Sequence, residues 1–472
     1  MRRFFLLAVG LFTAQLMLGA LRLPALFSNH MVLQQNAQVP IWGHARAGAL
    51  VRIQGSWNNK TVEVKADAEG KWKTFLETSD FGGPYEIHLS DGETLVLEDV
   101  MLGEVWLCAG QSNMEMPMEG FRSQPVEGGN LAVLKSANPQ LRMISVPRKA
   151  SAFPLNDFEG RWERARPESV ARFSAAAYFF GKTLQEFMGV PVGLIEVSWG
   201  GSCIQAWMSR ASTVDFEDKT IPQNDADIEE PNRTPSALFN GMLHPVIGYG
   251  IQGALWYQGE TNYAEPDLYA DLLPVMVEEW RTLWGLGTFP FYYAQIAPFD
   301  YKVFRTDVIH PRHNSAFLRD VQRRAEEVIP NSQMVVLLDL GHPDNIHPPQ
   351  KQEVGERFAL AALGGAYGQR GFQHRGPVVE GFSVQEGVLT LRFKDQRLGI
   401  HSRVAEPQLF EIAGSDKRFY RATAVVRSKS ILLSHPLVAE PVAVRYAFDD
   451  YVEAEIFNNA GLPLSSFRTD DW

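Results

Sequence analysis

The chain of 472 residues has few of the features that would assign it quickly. It has two cysteines, Cys108 and Cys203, so no disulfide framework can staple it. The two could still pair in an oxidising compartment, and burial as two small apolar side chains is the favoured reading. It has no His-Glu-x-x-His segment and no cysteine pairs at zinc spacing, which removes the common metal-hydrolase signatures. Its glycine-rich pieces lack the lysine of a phosphate loop and the spacing of a dinucleotide fold. A net charge of -11 argues against a nucleic-acid surface. After residue 20 no run is apolar enough to span a bilayer. No repeat or low-complexity tract stands out, and nothing in the chain sets an oligomeric state.

What is present is ordinary globular composition, 45% hydrophobic and 21% charged, enough for about three domains at roughly 150 residues each. Residues 1–20 read as a cleaved secretory leader. Arg2 and Arg3 supply the basic start, Phe4 to Leu18 the apolar stretch, and Leu18-Gly19-Ala20 the small-residue cleavage site before Leu21. An uncleaved anchor would need about 20 apolar residues, more than this stretch holds. The mature chain is expected in the periplasm or outside the cell, with no membrane span.

Between residues 21 and 100 the pattern alternates with period two, as in Val51-Arg52-Ile53-Gln54, Val62 to Lys65, Trp72 to Phe75 and Tyr85 to Leu89. Short alternating strands with turn residues between them predict a β-sandwich. Between 101 and 375 the pattern changes. Five apolar runs predict buried parallel strands: Val105–Cys108, Leu194–Val197, Ala254–Tyr257, Phe291–Ile296 and Val335–Leu338. Helical spacing lies between them, in Ala177, Phe180, Leu184 and Phe187, and in Phe317, Val321, Ala325 and Val328. The fold class is therefore α/β, a parallel sheet covered by helices on both faces. From 376 to 472 alternation returns, in Val388–Phe393, Ile431–Leu433 and Val442–Tyr446, and predicts a β-rich C-terminal module.

Ser112 lies in Gly110-Gln111-Ser112-Asn113, directly after the first buried run. A strand that ends on glycine and delivers a serine at its tip is a way to present a nucleophile, and open α/β sheets place their sites at these carboxyl ends. The same serine could also be a helix cap. Far downstream, Asp344-Asn345-Ile346-His347-Pro348 follows the fifth run. His347 can take the serine proton, and an acid three residues earlier can orient the imidazole. Asp339 is the fallback carboxylate, and His244 and His342 are the competing histidines. Asp344 could equally be a loop-solvating carboxylate.

Four motifs together resemble the sialate O-acetylesterase-type carbohydrate esterases of the SGNH hydrolase superfamily. They are Gly110-Gln111-Ser112-Asn113-Met114, Ser198-Trp199-Gly200-Gly201-Ser202, Trp256 to Asn262, and Asp344 to Pro348 followed by Lys351 and Val354-Gly355. The stretch Gly461 to Asp470 also resembles the end of such proteins. The resemblance implies an SGNH-type three-layer α/β/α catalytic domain and a catalytic Ser112, His347 and Asp344. It implies an oxyanion site from the Ser112 N–H, Gly201 and the Gln258 side chain, where this branch has Gln-Gly-Glu in place of the superfamily asparagine block. Asn262 is the alternative amide, and Gly200 and Gly201 could also be a plain turn. Gln111, Asn113, Gly200, Glu260 and Asn262 are expected to support the site, Glu260 by holding the loop or pairing with a nearby cation. Trp199, Trp207, Trp256 and Tyr257 are read as core.

The implied activity is removal of acetyl groups from a glycan, O-acetylated sialic acid first and acetylated xylan second, with no cofactor and no metal. Arg122, Arg210 and Arg305 are the arginines considered for a sialate carboxylate. Two other classes compete: a glycan-binding protein with a degenerate core, which would need a broken triad, and a metal-assisted hydrolase, which would need ligand clusters.

Overall fold

A computed structural model of the chain describes residues 21–214, 216, 221–304, 314–394 and 398–472. The expected leader and Arg305 lie outside the described residues. Among the described residues no helix is long and apolar enough to cross a membrane.

The central sheet runs in the order Ser332–Val335, Phe291–Ala294, Gly253–Tyr257, Thr94–Gly110, Val192–Ser198, Asn138–Ser145, Glu163–Ala165. The first six are parallel, and the last pairs antiparallel at the edge. Gly253–Tyr257, Phe291–Ala294 and Val192–Ser198 are buried at every residue. A strand covered on both faces is apolar over most of its length, which is why these read as apolar runs, and in Val192–Ser198 the two polar side chains bond each other, Ser198 donating to Glu196. Successive side chains serve opposite faces. Val105, Leu107 and Ala109 enter one core with Leu272, Met276 and Trp280 of helix Pro266–Trp284. Trp106 and Cys108 enter the other, with Phe180 and Leu184 of helix Ala175–Met188 and Val354 and Phe358 of helix Lys351–Gly365. Cys108 and Cys203 are both buried thiols.

Two expectations change. The fifth strand is Ser332–Val335, not Val335–Leu338. The apolar run continues past the strand because Leu337 and Leu338 are buried as loop residues, Leu338 within the C-terminal core. A sixth parallel strand, Asn138–Ser145, carries Arg142, whose charge disguises a buried strand. Arg142 is satisfied by a two-pronged contact with Asp99. Burial pushes that carboxyl up, but hydrogen bonds from two arginines and one histidine, Arg142, His30 and Arg164, outweigh it and hold the group below the usual carboxylate range.

Strand Gly82–Ser90 pairs with the first part of Thr94–Gly110, Leu50–Gly55 pairs with Gly82–Ser90, and Thr61–Lys65 pairs with Leu50–Gly55. Gln38–His44 pairs separately with Lys71–Glu77. Thr94–Gly110 is 17 residues long, so the expected boundary at residues 100 and 101 falls inside one strand. The C-terminal region holds two four-stranded sheets and a two-stranded pair. It packs onto the central region through Arg319 of helix Ala316–Val328. That fully buried guanidinium donates to Ser466 Oγ at 2.9 Å and the Asp450 carbonyl at 3.0 Å.

Candidate active site

The strand ends meet at one level. Gly110 is registered against Ser198 on one side and Tyr257 on the other. A Cβ at residue 110 would lie 2.2 Å from the Tyr257 carbonyl oxygen, so the turn that lifts Ser112 out of the sheet requires glycine. Ser112 begins a one-turn helix whose cap position is Gln111, so its hydroxyl is not spent on capping. That hydroxyl lies 2.8 Å from His347 Nε2. The structure thus joins Ser112 and His347 across 235 positions of the sequence.

His347 Nδ1 faces the Gln124 Oε1 atom at 2.6 Å. An amide oxygen only accepts, so the ring proton sits on Nδ1 and the Nε2 lone pair faces the serine. Phe121 packs edge-on against the same imidazole. Burial, and then the Lys351 charge, lower the His347 pKa to about 4, so the ring is neutral at pH 7.

Asp344 is not at the imidazole. It is exposed, and its backbone N–H bonds His342 Nδ1 at 3.0 Å. The Asn345 side chain accepts the His347 N–H at 2.9 Å, and this Asx turn changes the chain's direction between the two. The fallback Asp339 is held in a two-pronged pair by Arg357. His244 Nδ1 bonds the Leu155 carbonyl. Sequence reasoning missed Gln124, whose loop carries neither an apolar run nor a charge pattern.

On the other side of Ser112 lies Gly200, where a Cβ would come 3.2 Å from the serine Cβ. The Gly200 N–H is already given to Glu115 Oε2 at 2.7 Å, and its carbonyl accepts from Asn232 at 2.8 Å. Gly201 follows with φ of 70°. The N–H groups of Ser112 and Gly201 have no backbone or side-chain acceptor among the described residues. Arg148 holds the other oxygen of Glu115 and lies 5.6 Å over the Trp199 ring, half-exposed beside the site. Of the arginines considered for a carboxylate, Arg122 is exposed and Arg210 donates to the Pro222 carbonyl.

Gln258 is fully buried, and its amide donates to the Ser202 carbonyl at 3.0 Å and Asn262 Oδ1 at 2.8 Å. Both N–H groups are therefore taken inside the protein. Asn262 in turn accepts the Ile204 N–H and donates to Gln205, so it is committed as well. Gln258→Ala should cost about 1–3 kcal/mol in denaturant unfolding, because it strands buried partners. Its kcat on a small aryl acetate should change less than about ten-fold; a loss of about 10²–10³-fold would return the oxyanion role to Gln258.

The remaining support residues tie the loops together. Gln111 Oε1 lies 3.3 Å from the Gly259 N–H and 3.4 Å from the Thr261 N–H. Asn113 donates to Glu260 Oε1 at 2.5 Å and to the Ile346 carbonyl at 3.1 Å. The cation expected near Glu260 is Lys351, reached through Asn113.

A serine hydrogen-bonded to a neutral imidazole at the end of a parallel sheet is an arrangement suited to ester hydrolysis. Residues 102–364 match the family described as carbohydrate esterase, sialic acid-specific acetylesterase, and the chain belongs to that family. The sialate O-acetylesterase of Homo sapiens is 30% identical over 495 residues, 94% of this chain and 92% of that protein. The Mus musculus sialate O-acetylesterase is 28% identical, with 94% of each chain covered. A carbohydrate acetylesterase from Xanthomonas citri has a solved structure with TM-score 0.87 and 36% identity. The likeness covers 96% of this chain and all of that one. The protein is an esterase that deacetylates carbohydrate.

Proposed function

We propose that Ser112 and His347 carry this reaction on O-acetylated sialic acid, and that Gln124 rather than Asp344 orients the imidazole. The observation that carries the reading is the 2.8 Å contact between Ser112 Oγ and His347 Nε2. Ser112 Oγ attacks the acetyl carbonyl while His347 Nε2 takes its proton. The carbonyl oxygen becomes an oxyanion, held by the N–H groups of Ser112 and Gly201. As the intermediate collapses, the sugar oxygen leaves with the proton from His347, and acetyl stays on Ser112. Water, deprotonated by His347, then attacks the acetyl-enzyme, and as this intermediate collapses His347 returns the proton to Ser112 Oγ and acetate leaves. Sialic acid is favoured because the family and its mammalian relatives are named for it. A neutral acetylated polysaccharide is the second reading, favoured by the 36% identical relative, which is named only as a carbohydrate acetylesterase.

The same reading includes an SGNH-type three-layer core at 101–375, an N-terminal β-sandwich at 21–100 and a C-terminal β-rich module at 376–472. Helices buried against both faces of the sheet support the layering. Export through a leader at 1–20 belongs to it too. Acetate release from acetylated sialic acids and from acetylated xylan fragments, with and without chelator, tests the proposal. Chelator-resistant turnover strongest on the sialic acids supports it. Turnover only on xylan fragments moves the substrate to the second reading, and loss with chelator removes the mechanism.

A further inference from the structure

Lys351 is fully buried, a state lysines rarely adopt unless the ammonium has partners. It opens the helix Lys351–Gly365. One turn further, a Cβ at Gly355 would lie 2.6 Å from the Phe180 nitrogen and 2.7 Å from the Ala176 carbonyl oxygen. The helix therefore lies directly on helix Ala175–Met188, and its first residue is carried beneath the nucleophile loop. There Lys351 Nζ donates to Asn113 Oδ1 and sits 5.4 Å from the centre of the Tyr257 ring.

Asn113 is the residue after the nucleophile. Its amide nitrogen gives one N–H to Glu260 and the other to the carbonyl of Ile346, the residue before His347. An ammonium only donates and a carboxylate only accepts. With Lys351 on the oxygen side and Glu260 on the nitrogen side, the Asn113 amide has one satisfied orientation. In that orientation its second N–H reaches the histidine loop. Turned over, its oxygen would face a carboxylate and a carbonyl, and its NH₂ an ammonium.

We infer that Lys351 is a positioning residue. With Glu260 as counter-charge it locks the Asn113 amide and, through the Ile346 carbonyl, sets His347 Nε2 against Ser112 Oγ. The inference rests on Ser112 and His347 being nucleophile and base. One cluster thereby joins the loops after three different strands. Burial pushes the Lys351 ammonium down and the Glu260 carboxyl up, and each charge offsets part of that for the other.

Lys351 also leaves an electrostatic mark. The groups in contact with His347 are Ser112, Gln124 and Phe121, none of them charged. On its own loop Asp344 and His342 are exposed. Behind it stand Lys351 and, beyond Asn113, Glu260. Removing the positive charge lets the imidazole take up a proton at higher pH.

The test uses the full chain with Lys351→Met, Glu260→Gln, the double variant and Ser112→Ala, all confirmed folded by circular dichroism. Lys351→Met should lower kcat about 10–100-fold, on an aryl acetate and an acetylated sugar alike, with KM changed less than about two-fold. Labelling of Ser112 by a fluorophosphonate should slow by the same factor. The acid limb of kcat/KM should move to higher pH in Lys351→Met. The double variant should be no slower than the slower single, because the residues act as one unit. Should Lys351→Met not fold, the isosteric Glu260→Gln carries the rate and labelling measurements. Unchanged kcat, labelling and acid limb in a folded variant would overturn the inference, as would losses that multiply in the double. Activity in Ser112→Ala would instead overturn the underlying site. An inactive Ser112→Ala beside a fully active Lys351→Met removes the positioning role alone.

Discussion

Ser112→Ala is expected to lower kcat by at least about 10⁴-fold while leaving the melting temperature close to that of the parent chain. The rate falls because no other group near the carbonyl position combines an oxygen nucleophile with a base. Ser202, the neighbouring serine of the second motif, is fully buried and accepts the Trp207 indole N–H. The fold survives because the serine hydroxyl neither caps its helix nor bonds the backbone; its partner is His347. Mass spectrometry after reaction with a fluorophosphonate should place the adduct on Ser112. An adduct on any other serine, with Ser112 unmodified, would remove the nucleophile from the proposal.

The second large effect concerns the base and its neighbours. His347→Ala should cost about as much as Ser112→Ala, since nucleophile and base fail together. Gln124→Ala should cost about 10–100-fold, because the imidazole loses the partner that fixes its tautomer and its angle. Asp344→Asn should stay near the parent rate, since its carboxylate is exposed and away from the ring. A large loss in Asp344→Asn with none in Gln124→Ala would reverse the assignment. The pH profile gives an independent check. His347 works as a base only when neutral, and its pKa lies near 4, so kcat/KM should hold from pH 7 down to about pH 5 and fall below that. In Gln124→Glu a carboxylate would face Nδ1 and favour the charged ring, raising its pKa by about 1–3 units. The inactive imidazolium then persists to higher pH. Activity at pH 5 should drop while activity at pH 8 is less affected.

These residues also show what a sequence can disclose. Ser112 was legible because its signal is local: an apolar strand, a glycine and a hydroxyl at the strand tip. His347 was legible for the same reason, in a loop that follows buried residues. The N-terminal strands were legible because one-sided burial writes alternation into the chain. Gln124 was not, since it meets His347 across 223 positions and a neutral amide carries no signature of its role. Asp344 drew attention by being three residues from the histidine, but an Asx turn decides which way a short loop sends its side chains. Gln258 sits in the right loop, yet its amide turns inward to Ser202 and Asn262, a choice made by packing. Arg142 hid a strand because a buried charge is invisible to an apolar pattern when its partner Asp99 lies far away in the sequence.

The strand Thr94–Gly110 belongs to both the N-terminal sheet and the central sheet, and its last residue holds the turn below Ser112. A mechanical continuity follows. Strands Val32–Gln34 and Gly82–Ser90 cannot melt away by fraying at a linker, because their hydrogen-bonded partner is the same backbone that carries the nucleophile. Amide exchange should slow together on the two sides of residue 100, and denaturant should take both sheets apart in one cooperative step. A truncated chain beginning at residue 101 would start in mid-strand, with Met101 and Leu102 exposed along a new edge open to pairing with other chains. For this fold, a piece that keeps the strand below Ser112 whole reaches back at least to Thr94.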